Sequence, residues 1–298
     1  EKQKRAHLTV VVLVQAYYAF TLVLFVRWLS HYWPIWLKSE EFRLLWPVVW
    51  IGVDPIPAIY FLGVVVLGSG VLAVLFPTER WIRFLVFLAL LLFVAMWNSF
   101  GKINHSLHAW LWIALIFVFL PDEGWHTKNQ SISKRQPFLF VFWGAQVLFA
   151  LFYSMSGIIK IYAAVHQILN SQVSVLHPYA LAYVVANRLL QNGDESLLGP
   201  LIVAHPLWGW PFYLTAVLLE SLALVAVIRP SLHRFWGIGL FLLHMSNWLI
   251  LSVLFPDQIL LCLLLLVYSP YRSQNLTLRR VIQQIPLVGV LFKRKESV

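Results

Sequence analysis

Phe138–Ile161 reads FLFVFWGAQVLFALFYSMSGIIKI. The run from Phe138 to Ile159 carries no charged side chain. Coiled as a helix at about 1.5 Å per residue it reaches about 33 Å, enough to cross a hydrocarbon core roughly 30 Å thick. Gln146, Tyr153, Gly157 and Lys160 follow one another at spacings of 7, 4 and 3, a single helical stripe. Polar groups confined to one stripe point into a bundle or a cavity rather than at lipid.

The same reading extends to the rest of the chain. Leu8–Leu29 is a second long apolar run, and Phe84–Met96 is apolar on every side, which a helix on the surface of a soluble domain is not. Of 298 residues 60% are hydrophobic and 11% charged, against roughly a quarter charged in soluble domains. The expected fold class is all-α: a polytopic transmembrane helical bundle of about eight spans, at 8–30, 58–77, 82–98, 105–121, 138–160, 211–228, 235–255 and 257–270. Phe76-Pro77 and Phe255-Pro256 stop helices because proline lacks the amide donor. Segment 44–57 is too short and proline-rich to cross and belongs at the interface. The connection 161–210 carries helical spacing at Pro178–Leu190, and Trp208 and Trp210 mark its return to the headgroup level.

The net charge of +10 does not point to nucleic acid, because the basic residues flank apolar spans. With eight spans, sixteen of the 22 Lys and Arg fall on the side of the termini and six on the other. The positive-inside rule then puts both termini in the cytoplasm, and the expected location is a bacterial inner membrane. The N-terminal EKQKRAH and the run behind it resemble a signal peptide, but the apolar region is too long and no small-residue cleavage site follows. The domain division expected is a transmembrane domain over 1–272 and a basic cytoplasmic tail over 273–298, lying on an anionic leaflet. The single cysteine, Cys262, excludes an intrachain disulfide. Membrane lipids are the first expected partners.

Ionisable groups inside spans cost a few kcal/mol on insertion scales, so each is a functional candidate. Lys160 closes the fifth span at its outer end, where it serves as a reactive amine or snorkels to the headgroups. Asn104, His105 and His108 open the fourth span at the same end. Glu220 lies about eight residues in from Ile228 and His244 about nine in from Phe235, with Asn247 one turn further. At about 1.5 Å per residue the two differ by about 1–2 Å in depth, and a structural Glu220–His244 hydrogen bond would satisfy both. His105 and His108 lack a third ligand at matching spacing, so no metal is expected. No G-x-S-x-G, H-E-x-x-H or P-loop occurs.

Four of these patches carry a resemblance to the vitamin K-dependent γ-glutamyl carboxylases and their bacterial relatives with the HTTM (horizontally transferred transmembrane) domain. WNSFGKINHSLHAWLW resembles the family segment in which Asn-His-Ser opens a membrane helix, and the family histidine falls on His105. GAQVLFALFYSMSGIIKI is similar to the Gly-Gln helix that ends in Gly-x-Lys-Lys. The catalytic lysine falls on Lys160, with Ile159 in place of the first lysine. The acid of the next helix falls on Glu220. GLFLLHMSNWLILSVLFPDQILL is similar to the family's His-x-x-Asn helix, which puts His244 and Asn247 on its polar positions. The resemblance covers roughly 1–270 and is that of a bacterial-type homologue without the lumenal region that handles the protein substrate.

What the resemblance implies is a quinol-dependent carboxylase or epoxidase, a lyase or oxygenase, whose cofactor is a reduced naphthoquinone. In that family a lysine deprotonates the quinol and oxygen then converts it into a strong base. An amine serves as a base at neutral pH only where its surroundings disfavour the ammonium. The implied roles are catalytic for Lys160 and His105, and substrate-binding for Asn104, Tyr153, Gly157, His244 and Asn247. A peptide or small-molecule acceptor is left open. From a different class, a non-catalytic accessory or lipid- or quinone-binding membrane protein fits the same spans, since fold does not carry function. The charge distribution makes a direct prediction: Ser273→Cys in intact cells resists a membrane-impermeant thiol reagent and reacts after permeabilisation. Labelling without permeabilisation overturns the topology.

Overall fold

A computed structural model describes residues 2–38, 43–100, 103, 105–125, 131–193, 196–271 and 284. Asn104 and nearly all of the 273–298 tail therefore lie outside the described residues. Among those described there is helix and no strand. The long helices are α1 (Lys2–Lys38), α2 (Pro55–Leu75), α3 (Arg80–Asn98) and α5 (Ile132–Leu169). These four are long and apolar enough to cross a membrane, so this is a helical membrane protein. Helix α4 (His108–Val118) and the segment Pro256–Val267 are apolar but shorter. Trp46–Gly52, in the segment expected at the interface, is a 3-10 turn.

The chain forms two compact units, 1–145 and 146–298, and α5 runs through the boundary. In the first unit α2 packs on α1 and α3, and α3 on α4. Some of the buried polar groups there are paired, while the His7 ring nitrogens, the Tyr18 hydroxyl and the Trp36 indole N–H have no hydrogen-bond partner among the described residues. Tyr17 donates to the Trp110 carbonyl at 2.7 Å, and the Trp110 indole N–H donates to Thr21 Oγ1 at 3.0 Å. Arg83, counted above with the loop charges, is fully buried. It donates to the Pro77 carbonyl at 2.9 Å and to Asp122 at 2.8 Å, beneath the face of Trp125. A guanidinium with five donors can tie several carbonyls and a carboxylate at once.

The second unit contains the rest of α5, then α6 (Ala180–Asn192), α7 (Gly199–Ala204), α8 (Pro206–Ser221) and α9 (Ala223–Ile228). It closes with α10 (His233–Leu251), α11 (Pro256–Leu261) and a π-helical turn over Cys262–Val267. The helical spacing expected at Pro178–Leu190 is α6. Ala182, Val185 and Ile202 bury against Ile250 and Leu251, and Leu198 N–H bonds the Leu249 carbonyl at 2.9 Å.

Three expectations about spans change. The fifth helix does not end at Lys160 but runs on to Leu169. Its 38 residues make about 57 Å, so Lys160 sits within it. The apolar signal stops at the lysine while the helix continues through YAAVHQIL, and the chain turns only at Ser171, with φ 56°. The expected span 211–228 is broken at Leu222 into α8 and α9. The Phe255-Pro256 break is present and starts earlier, at Ser252, with φ 53°.

At Gly157 the backbone of α5 comes against α8. A Cβ built there would collide with the Ser221 backbone nitrogen and Oγ. Gly68 on α2 instead faces open space, with nothing within 4 Å of a built Cβ. Gly157→Ala should therefore destabilise the protein by about 1–3 kcal/mol through overpacking, while Gly68→Ala stays within about 0.5 kcal/mol. Thermal unfolding in detergent compares them, and equal melting of Gly157→Ala and wild type refutes the close approach.

Candidate functional site

The stripe on α5 supplies the site. Gln146 is fully buried and Tyr153 nearly so, Gly157 sits at the α8 seam, and Lys160 reaches Glu220 of α8. Lys160 Nζ donates directly to Glu220 Oε2, and Ser156, one turn before the lysine, stands 3.5 Å from the same oxygen. The Glu220 side chain is 10% exposed and that of Lys160 33%. A lysine that only snorkelled would send its ammonium to the headgroups; this one turns to a carboxylate.

The pair sits where the helix it faces is interrupted. The break at Leu222 leaves amides at the start of α9 without intrahelical acceptors. Ser154 Oγ, from α5, accepts the Leu224 N–H at 2.9 Å. Two serines within two turns of the lysine thus serve α8 and α9: Ser156 the carboxylate, Ser154 the broken backbone.

Seven residues back, Tyr153 OH lies 2.5 Å from His244 Nε2 of α10. Around the same hydroxyl are Gln258 Oε1 at 3.4 Å and Cys262 Sγ at 3.7 Å, both from the closing segment. Asp257, next to Gln258, is 3% exposed, and Gln258 Nε2 donates to it at 3.0 Å. His244 Nδ1 is buried with no partner among the described residues. A buried, unpaired imidazole nitrogen costs free energy unless something meets it, so the cluster has one hydrogen-bonding position to offer a ligand.

A second polar chain lies two turns further toward the start of α5. Gln146 Nε2 donates to Ser269 Oγ at 2.9 Å and to the Leu265 carbonyl inside the π turn. His233 accepts from Ser269 at Nδ1, because its Nε2 must donate to the Val227 carbonyl, 2.7 Å away, which can only accept. This chain holds α5, α10 and the π turn together, and every described group in it except Gln146 Oε1 is partnered.

The expected Glu220–His244 pair is not formed. Glu220 takes Lys160 and Ser156, while His244 takes Tyr153. Their partners on α5, Lys160 and Tyr153, stand seven residues or about 10 Å apart along the helix, so counting residues from the expected span ends did not bring the two to one level. The expected substrate-binding set also divides. Tyr153 and His244 meet, Gly157 marks the helix seam, and Asn247 instead lines an apolar cavity between α6, α8 and α10. His105 belongs to the first unit, where its Nδ1 is 3.2 Å from that of His108 at the start of α4. No group of three His, Cys, Asp or Glu set to hold a metal occurs among the described residues. Sequence reading passed over Ser154, Ser156, Asp257 and Gln258. Of these Asp257 had a signal, as the acid that opens the last apolar stretch.

Fold and site together define a helical membrane protein with a half-buried ammonium–carboxylate pair and a buried aromatic hydroxyl–imidazole pair on one helix stripe. Beyond that class the comparisons add nothing: the chain matches no family model, no curated protein and no solved structure.

The ion pair can be weighed by a double-mutant cycle. Lys160→Met or Glu220→Gln alone leaves one group facing a missing partner, at a cost on the order of 1–3 kcal/mol given the partial exposure of the lysine. Lys160→Met combined with Glu220→Leu should recover much of that loss in chemical-denaturant unfolding. Strictly additive losses contradict the pairing.

Proposed function

We propose that the protein is a membrane-embedded, quinol-oxidising enzyme of the vitamin K-dependent carboxylase-like, HTTM type, with Lys160 and Glu220 acting together as its proton acceptor. The observation that carries this reading is the Lys160–Glu220 pair, set on a buried stripe with Ser156 and Tyr153. On this reading the chain crosses the membrane about eight times, with both termini in the cytoplasm of a bacterial cell.

The contact with Glu220 changes what a lysine base means here. An ammonium and a carboxylate in contact carry no net charge, and the pair still has room for one proton, on the carboxylate. Taking that proton from a substrate hydroxyl moves the pair from neutral to a single positive charge, beside the place where negative charge appears on the substrate. Electrostatic stabilisation at that position is worth most where water is excluded. Lys160 remains the group nearest the developing charge, and Glu220 stores the proton.

A reduced naphthoquinone fits these residues. It is neutral, flat and mostly apolar, with two hydroxyls. The partly buried ion pair can take one of them, and the unpartnered Nδ1 of His244 is a further hydrogen-bonding position in the same unit. When bound, it would supply an acidic hydroxyl and a ring that reacts with oxygen. His105 and Asn104 keep in this proposal the charge-stabilising and binding roles that the resemblance implies.

The reading is tested in bilayer nanodiscs with added menaquinol, following oxygen consumption and epoxide formation. Lys160→Met and Glu220→Gln should each lower turnover at least about 100-fold, the scale of a lost acid–base group, while menaquinone binding changes less than about fivefold. Turnover that survives Lys160→Met removes the catalytic assignment. A wild-type protein that turns over no quinol under any of these conditions removes the enzymatic reading altogether.

A further inference from the structure

The second unit contains a cavity of about 540 Å³ that the ion pair and the Tyr153–His244 cluster do not use. Its walls are α8, from Phe212 to Leu219, and α10, from Phe235 to Leu251, with Leu181 of α6 at one end. The two long walls run antiparallel and in register. Trp236 donates to the Leu219 carbonyl at 2.9 Å, and a Cβ on Gly239 would stand 3.0 Å from Leu219. Stepping equally along both helices from the Leu219–Gly239 contact puts Tyr213 level with Met245, next to Ser246.

This register sorts the lining by chemistry. The end nearest Leu219 is made of Phe235, Ile238, Gly239 and Leu242. Two turns along, the walls become Tyr213 and Thr215 on one side and Ser246 and Asn247 on the other, before Ile250, Leu251 and Leu181 close that end. Phe235 to Asn247 is about 18 Å along the helix. The Ser246 and Thr215 hydroxyls already donate to the carbonyls of Leu242 and Pro211, both at 2.8 Å, so they retain only acceptor capacity. The Asn247 amide lines the same end and brings both a donor and an acceptor. No Lys, Arg, His, Asp or Glu lines the cavity.

We infer that this cavity is a binding site for a neutral, single-chain amphiphile, whose uncharged hydroxyl or ester head lies at Asn247 and whose alkyl tail runs toward Phe235. A tail is called for because the inner end offers apolar contact alone. A polar head is called for by the Asn247 amide and the two acceptor hydroxyls. Neutrality follows because a phosphate or carboxylate head would be desolvated there with no cation to meet it. Phe212 and Leu242 of the lining are exposed, and an exposed apolar wall in a membrane protein admits a lipid from the side. The inference does not depend on the chemistry proposed for Lys160 and Glu220.

The test uses the full-length protein in phosphatidylcholine nanodiscs and follows quenching of tryptophan fluorescence by brominated lipids. Brominated monoolein should quench saturably and beyond an equal mole fraction of brominated phosphatidylcholine, and brominated oleate should give no such excess. Ala216→Phe, which fills the middle of the cavity, should abolish the excess. Asn247→Leu should weaken it roughly tenfold, the value of a hydrogen bond or two to the head. Three results overturn the assignment: monoolein quenching no better than phosphatidylcholine, oleate quenching as well as monoolein, or an excess that survives both substitutions.

Discussion

A charge placed among apolar helices must find an opposite charge or leave, and the second unit is arranged around one such meeting, that of Lys160 with Glu220. Burying either ion alone costs several kcal/mol. The contact requires α5 and α8 to approach closely, and glycine at 157 permits it, since a Cβ there would strike Ser221. It also requires the carboxylate to be shared out correctly, and Ser156 stands beside it on the lysine's own helix. One physical demand thus fixes a glycine, a serine and the register of two helices.

Backbone interruptions cluster around the polar groups. Helix α8 gives way to α9 at Leu222, α10 gives way to α11 between Ser252 and Phe255, and a π turn follows at Cys262. Inside a membrane a freed backbone group has to be met by protein, so breaks are tolerated only where side chains or cavities serve them. Ser154 serves the first break, and Gln146 the π turn. Such interruptions recur at functional sites, and here each lies close to the stripe that carries Gln146, Tyr153 and Lys160.

Much of this was legible in the sequence, and the limits have physical causes. The α5 stripe was readable because a 3.6-residue period alone fixes which residues share a face: Gln146 and Tyr153 are buried, Gly157 meets α8 and Lys160 reaches Glu220. The presence of membrane-spanning helices followed from apolar length. The end of α5 was not readable, because hydropathy marks where lipid contact stops and not where hydrogen bonding stops. The partner of Glu220 was not readable either. Rise per residue from the expected span ends put Glu220 and His244 at one depth, but α8 and α10 pass each other with Leu219 beside Gly239, and that offset, like the rotation of each helix, is set by packing across the whole unit. Asp257 was hidden by its position just after a proline, where an acid reads as an ordinary helix start.

The Lys160–Glu220 contact can be measured directly in a bilayer. Solid-state NMR on protein carrying ¹⁵N in the lysine side chains and ¹³C in the glutamate carboxyls reports dipolar coupling between the two, and Lys160→Met assigns the signal. The account predicts a strong coupling that disappears in Lys160→Met and in Glu220→Gln, with no coupling from the Lys160 ammonium to lipid phosphorus. A Lys160 nitrogen coupled to headgroup phosphorus, and silent toward the glutamate carboxyl, would contradict it.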